Sequence, residues 1–304
     1  MTAGSAEDIT EVSIPVTSRG QPLTIAGWST EPTGRAPDVI WLHANGFNAR
    51  TYRHALAPLA GRLAVLAIDQ RGHGATPQAS AIEDKRDALD MRDDLLGLLN
   101  VVSVGRPVIL AGHSMGGCVS LLAAAEAPQR VRGIGLFDPV ILSPDVAERA
   151  MAANGAAASE SGLVGKARSR RRHFGSYDEV LETYRRRSIF ATWPEPALRD
   201  YIAAGFAPAP GGGVELTCAP EWEAANFAAH GHDIWAAMAR VEAPVRILRA
   251  EHGSTCAIAE AAAFPRPAGQ VEVATIMGAT HFLPIERPEL VRETLLALAA
   301  ATQA

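Results

Sequence analysis

The segment ILAGHSMGGCVSLLAAAEAP (109–128) holds one serine with a glycine two places away on each side: Gly112-His113-Ser114-Met115-Gly116. Before it, the apolar run Val108 to Ala111 reads as a buried strand that stops at Gly112; a helical pattern, Val119, Leu121 and Leu122, begins just after Gly117. A Gly-rich βα turn can be purely structural. With a strand before it and a helix after it, however, G-x-S-x-G is a nucleophile elbow. The serine takes a strained backbone that lifts its hydroxyl clear of the sheet, and the glycines let the chain pass close by. The next amides point at the same spot from the positive end of the new helix. A serine hydroxyl is a poor nucleophile at neutral pH and needs a base to take its proton. The chain's nine histidines are the candidates. His113 adjoins the serine, but neighbours across an elbow point different ways, so it reads as structural.

The elements that must position this chemistry alternate along the chain. DITEVSIPV and PLTIAGWST read as opening strands joined near Arg19-Gly20. DVIWLH (38–43), LAVLAID (63–69), VRGIGLFD (131–138), APVRILRA (243–250) and QVEVATIM (270–277) read as further strands. Helices are expected from about Thr51 to Gly61, through Leu89, Leu95, Leu98 and Leu99, and from Pro288 to the C-terminus. Apolar strands separated by helices indicate an α/β fold with a parallel sheet covered on both faces. One interval breaks the rhythm: between Asp138 and Pro244 no convincing buried strand appears, and the composition is helical and polar. Residues 140–230 therefore read as an inserted helical cap, with 1–139 and 231–304 forming the core domain. The Ala-rich stretch at 155–159 reads as a mobile surface loop.

Composition narrows the function classes. The 304 residues are 48% apolar and 20% charged, enough for a sizeable core. The formal charge of −5 gives no global attraction to nucleic acid or anionic membranes. No stretch is long or apolar enough to insert in a bilayer, and the N-terminus lacks a signal-peptide pattern. Cys118, Cys218 and Cys256 are scattered and odd in number, which argues against a disulfide scaffold and for the cytoplasm. His252 and Cys256 in EHGSTC match no zinc spacing, and no phosphate-cradling glycine motif is present, so neither metal, nucleotide nor other cofactor is expected. Whether the chain forms a homodimer stays open.

In the order LHANGF, DQRGHG, GHSMGG, FDP and GATHF, the chain resembles the α/β-hydrolase superfamily over nearly its full length. The resemblance implies an eight-stranded, mostly parallel sheet with a cap over its carboxyl edge. It places the catalytic base at His281, after the last strand, and His73 in a tight turn. Relatives usually carry the triad acid shortly after the seventh strand, where this chain holds Gly253. Glu251 is one replacement. Asp138, at the end of the sixth strand, is the preferred one, because several family members place their acid there. An Asp before Pro139 also suits a plain turn. The oxyanion donors implied are the Met115 amide and one from the loop HANGF (43–47): Asn45, with Gly46 or Phe47 as alternatives. Ser114 excludes the carboxylate nucleophile of dehalogenases and epoxide hydrolases.

The expected reaction is cleavage of a carboxylic ester, lactone or thioester by a Ser-His-Asp acyl-enzyme route. C–C bond hydrolysis with the same triad, or ligand binding without catalysis, are the alternatives. The partner expected is an apolar acyl small molecule. Phe174, Tyr177, Tyr184, Phe190, Trp193, Tyr201, Phe206, Trp222 and Phe227 could line its site, though most read as contacts between cap helices. Arg168, Arg170, Arg171, Arg172 and Arg185 to Arg187 could steer an anion but read more readily as a solvated helix face.

Overall fold

The structure is a computed structural model, and it describes residues 9–31, 34–153, 162–229, 231–265 and 270–302. The Ala-rich stretch at 155–159 lies outside the described residues.

β1 (Thr10–Ser18) and β2 (Gln21–Ser29) form an antiparallel hairpin. Its two-residue turn puts both Arg19 (φ 51°) and Gly20 (φ 76°) in the left-handed region, as the tightest hairpin turns require. β3 (Val39–Leu42), β4 (Val65–Ile68), β5 (Val108–His113) and β6 (Val131–Phe137) follow. Three short strands then intervene: β7 (His173–Phe174), β8 (Phe206–Pro208) and β9 (Val214–Leu216). β10 (Val245–His252) and β11 (Val271–Thr280) complete the set. The main sheet has eight strands in the order β1-β2-β4-β3-β5-β6-β10-β11. β2 pairs antiparallel with both its neighbours, and every pairing from β4 onward is parallel.

Every residue of β3, β4 and β5 is buried, because helices cover both faces. Side chains alternate between the two covers with the period of a strand. Ile40, Leu42 and Leu110 pack with Leu95, Leu98, Val119 and Met238. Val39, Trp41, Ile109 and Ala111 pack with Leu56, Val291, Leu295 and Leu298. The first cover is formed by the helices Ala88–Val102, Met115–Glu126 and Ile234–Arg240, the second by Arg53–Leu56 and Pro288–Ala301.

Two expectations need revision. The helix expected over 51–61 is broken into a 3-10 turn (Ala49–Tyr52), one α-turn (Arg53–Leu56) and a second 3-10 turn (Ala57–Leu59). Pro58 has no amide to continue an α-helix, and the Asn48 side chain starts the segment early by accepting from Thr51 N–H. The insertion between β6 and β10 is not all-helical. Besides the helices Pro144–Ala153, Gly162–Arg168, Tyr177–Arg185, Glu195–Gly205 and Pro220–Ala228, it carries the antiparallel sheet β7-β9-β8. Strands of two or three residues are too short to show an alternation.

Candidate active site

β5 delivers Ser114, which turns at φ 55° and ψ −116° into the helix Met115–Glu126. That conformation is costly for a residue with a Cβ, on the order of 1–3 kcal/mol. Its surroundings hold it there. Ser114 N–H donates to Phe137 O (3.1 Å), and Ser114 O accepts from Gly117, Cys118 and Val140 N–H (3.0, 3.2 and 3.1 Å). The flanking glycines are steric necessities. A Cβ on Gly112 would strike the Gly116 backbone, and one on Gly116 would strike the Leu42 carbonyl.

Asp138 leaves the end of β6 at φ 45°, and its side chain is fully buried. One carboxylate oxygen accepts from Ala250 N–H (2.8 Å) and Ser254 Oγ–H (2.5 Å). The other accepts from Thr255 N–H (3.1 Å) and lies 2.6 Å from His281 Nδ1. Burial opposes the charge, but these donors outweigh it and hold the carboxyl below its ordinary range. The other imidazole nitrogen, His281 Nε2, lies 3.1 Å from Ser114 Oγ. Ser114, His281 and Asp138 are thus brought together from three separate loops. Glu251 is not part of this group. It accepts from Gly278 N–H (2.7 Å) and stands beside the exposed His252.

His113 belongs to the site's support. Its Nε2–H donates to the His281 carbonyl (2.7 Å), since a carbonyl can only accept, so its Nδ1 accepts from the Tyr52 hydroxyl (2.7 Å). Burial holds this imidazole near pKa 3, hence neutral. Tyr52 Oη in turn accepts from Ala44 N–H (3.1 Å). A single polar chain therefore joins the 43–47 loop, the elbow and the His281 loop. Tyr52 escaped the sequence reading because nothing in ARTYR marks it as polar-networked.

In the 43–47 loop, Ala44 N–H goes to Tyr52, Gly46 N–H to His73 Nε2 (3.1 Å), and Phe47 N–H to Ala44 O (3.1 Å). Asn45 N–H takes part in none of these contacts. Its side chain is anchored on the insertion: Nδ2–H donates to Glu223 O (2.9 Å), and Oδ1 accepts from Asn226 Nδ2–H (2.9 Å). Tyr201 Oη–H donates to Gly46 O (3.3 Å). His73 Nδ1–H donates to Arg71 O (3.0 Å), and burial lowers its pKa to about 4.

Within the arginine run, Arg170 is the member that departs from the expected solvated face. Arg170 is mostly buried: it pairs with Glu223 and donates to Tyr201 Oη (2.8 Å) and Tyr184 Oη (3.2 Å). Arg171, Arg172, Arg185 and Arg186 pair with Glu179, Glu215, Glu195 and Glu182, while Arg187 lies over the Tyr184 ring. Of the aromatic residues, Phe174, Tyr184, Phe190, Tyr201 and Phe206 pack on one another within the insertion. Trp193 packs on Phe190 and Tyr201 and also meets Phe47 and Phe282, these last two each at 5.4 Å between ring centroids. Phe282 directly follows His281, its ring 5.9 Å from the imidazole, and Phe47 and Trp193 pack against Phe282. Trp222 is buried and donates to Arg71 O (3.0 Å), Phe227 packs near Val164, and Tyr177 is exposed. Among the described residues, no group of three His, Cys, Asp or Glu could hold a metal, and no helix is long and apolar enough to cross a membrane.

The model of the alpha/beta hydrolase family matches residues 39–294. The chain is 27% identical over 261 residues to a 2-(acetamidomethylene)succinate hydrolase of Mesorhizobium japonicum, covering 84% of this chain and 86% of that protein. It is 34% identical to the Homo sapiens monoglyceride lipase over 139 residues, covering 42% of this chain and 43% of that one. The crystal structure of E-2-(acetamidomethylene)succinate hydrolase superposes with a TM-score of 0.70 at 24% identity, over 96% of this chain and 98% of that one. A thermophilic esterase from Thermogutta terrifontis superposes with a TM-score of 0.65 at 21% identity, over 97% of this chain and all of that one. With a family match spanning most of its length and the same fold in these solved structures, the chain belongs to the alpha/beta hydrolase family.

Proposed function

We propose that the protein is a cofactor-independent serine hydrolase that cleaves a carboxylic ester, lactone or thioester through an acyl-enzyme. The observation that carries this reading is the His281 imidazole, suspended between Ser114 Oγ at 3.1 Å and Asp138 Oδ2 at 2.6 Å. Asp138 accepts from Nδ1–H, which leaves Nε2 bare and facing the serine. As Ser114 Oγ attacks the substrate carbonyl, Nε2 takes its proton, and Asp138 steadies the imidazolium that forms. The tetrahedral oxyanion collects the amides of Met115 and Asn45. Nε2–H then protonates the leaving group, and water, deprotonated by the same nitrogen, releases the acid.

The substrate class follows from what surrounds the base. Phe47, Trp193 and Phe282 offer apolar surface, and Glu223 neutralises Arg170. Both favour an uncharged, apolar acyl group, with residues 140–230 as the cap over it. The relative named for 2-(acetamidomethylene)succinate makes that dicarboxylate the natural counter-test. The experiment is turnover of p-nitrophenyl acetate and butyrate, alongside a panel of lactones, thioesters and the dicarboxylate. Ser114→Ala should lose ~10⁴-fold or more in kcat, and a fluorophosphonate should label Ser114 alone. An unlabelled Ser114 and no turnover by the wild type would sink the reading.

A further inference from the structure

A second thiol–imidazole–carboxylate arrangement lies one turn along the elbow helix. Cys118, in the first turns of the helix Met115–Glu126, has its Sγ 3.2 Å from His232 Nε2. His232 Nδ1 lies 3.2 Å from Asp87 Oδ1. Asp87 caps the helix Ala88–Val102 by accepting from Leu89 N–H (2.9 Å), and it holds φ 64°, a strained value for a residue with a Cβ. Three parts of the chain thus converge on one sulfur. None of these residues touches the reacting atoms proposed above.

We infer that Cys118, His232 and Asp87 form a thiol site that reacts with hydroperoxides, distinct from the serine centre. With a proton on each ring nitrogen, His232 donates from Nδ1 to Asp87 and from Nε2 to the Cys118 sulfur. Burial opposes that charge, but the sulfur and the carboxylate outweigh it and hold the imidazole near pKa 10. The sulfur attacks one oxygen of hydrogen peroxide: an S–O bond forms, the O–O bond breaks, and the sulfur is oxidised by two electrons. The departing hydroxide takes the Nε2 proton and leaves as water, so a thiol and a peroxide become a sulfenic acid and water. His232 lines a small pocket with Val140, Leu142, Ala147 and Ile234, which is the side from which a small oxidant would approach.

The other two cysteines are built-in controls. All three are buried. Cys218 Sγ donates to the Ala219 carbonyl (3.8 Å) and lies near Glu223, and Cys256 Sγ donates to that of Ile258 (3.6 Å); among the described residues neither thiol is hydrogen-bonded to an imidazole. Burial pushes both thiols up, Cys256 to about 11. A cysteine paired with an imidazole is the reactive kind, and one buried without it is inert.

The test treats the native full-length chain with hydrogen peroxide for timed intervals and quenches with catalase. The chain is then unfolded in N-ethylmaleimide, and the thiol remaining at each position is counted by peptide mass spectrometry. Cys118 should be lost ~10-fold faster than Cys218 and Cys256 in the wild type. His232→Gln should slow Cys118 to their pace while leaving their own rates unchanged, which also shows that the variant is folded. If the variant does not fold, the three wild-type rates decide alone. Equal loss at all three cysteines, or a Cys118 rate indifferent to His232→Gln in the folded variant, overturns the inference.

Discussion

Asp138→Asn tests the proposed machinery most sharply, because the carboxylate sits in a nest of donors. Two of the four are backbone amides, Ala250 and Thr255, and cannot reverse direction. The variant's NH₂ must face one side of that nest. Against Ala250 N–H and Ser254 it opposes a fixed donor. Against Thr255 N–H and His281 it opposes a fixed donor as well, and the relief open to it is a tautomer change. In that change Nδ1 accepts and Nε2 carries the proton, so Nε2–H points at Ser114 Oγ and can no longer take its proton. A loss of ~10⁴ in kcat is expected, equivalent to about 5 kcal/mol of transition-state stabilisation. The assay is initial-rate hydrolysis of p-nitrophenyl butyrate at saturating substrate, with circular dichroism to confirm a folded variant. Glu251→Gln should stay within about tenfold of the wild type, because Glu251 contacts Gly278 and His252 instead of His281. A folded Asp138→Asn protein retaining a tenth of wild-type kcat, or a crippled Glu251→Gln, would refute this reasoning.

Acidification from pH 7 to pH 5 should destabilise the fold. Burial holds His113 near 3 and His73 near 4, against an unfolded value of 6.5. Their stabilising contribution is present above pH 6.5 and lost as pH falls toward those values, about 2 kcal/mol each by pH 5, with His43 acting in the same direction. Asp69, raised by burial to about 6, and His232 return about 1 kcal/mol each. Urea midpoints should therefore fall between pH 7 and pH 5; an unchanged or rising midpoint contradicts it. Arg170→Met should destabilise by about 3–5 kcal/mol, by leaving Glu223 charged and buried without its partner. Arg186→Ala, which removes an exposed side chain, should stay within about 0.5 kcal/mol. Comparable melting temperatures for the two variants would contradict this.

The fold was readable where the chain carries a period. Val39–Leu42, Val65–Ile68 and the stretch 108–111 are uninterrupted apolar runs, and buried parallel strands look like that. The elbow was readable because its glycines are steric necessities. Other features were hidden for physical reasons. β7, β8 and β9 are shorter than one alternation cycle. Arg170 stands in a run of exposed arginines, and only its position against Glu223, 53 residues away, buries it. Cys118 and His232 are 114 residues apart and share no spacing rule. Likewise, nothing in EHGSTC announced that Ser254 and Thr255 would donate to a carboxylate on another strand.

The chain of contacts from Ala44 through Tyr52 and His113 to His281 has a bearing on transplantation. Loops exchanged among related scaffolds are usually treated as separable parts. Here the histidine beside Ser114 fastens the other two loops to each other, so the three travel as one cassette. A chimaera that imports the segment around residue 281 without its own tyrosine and histidine would carry a base with nothing gripping its backbone.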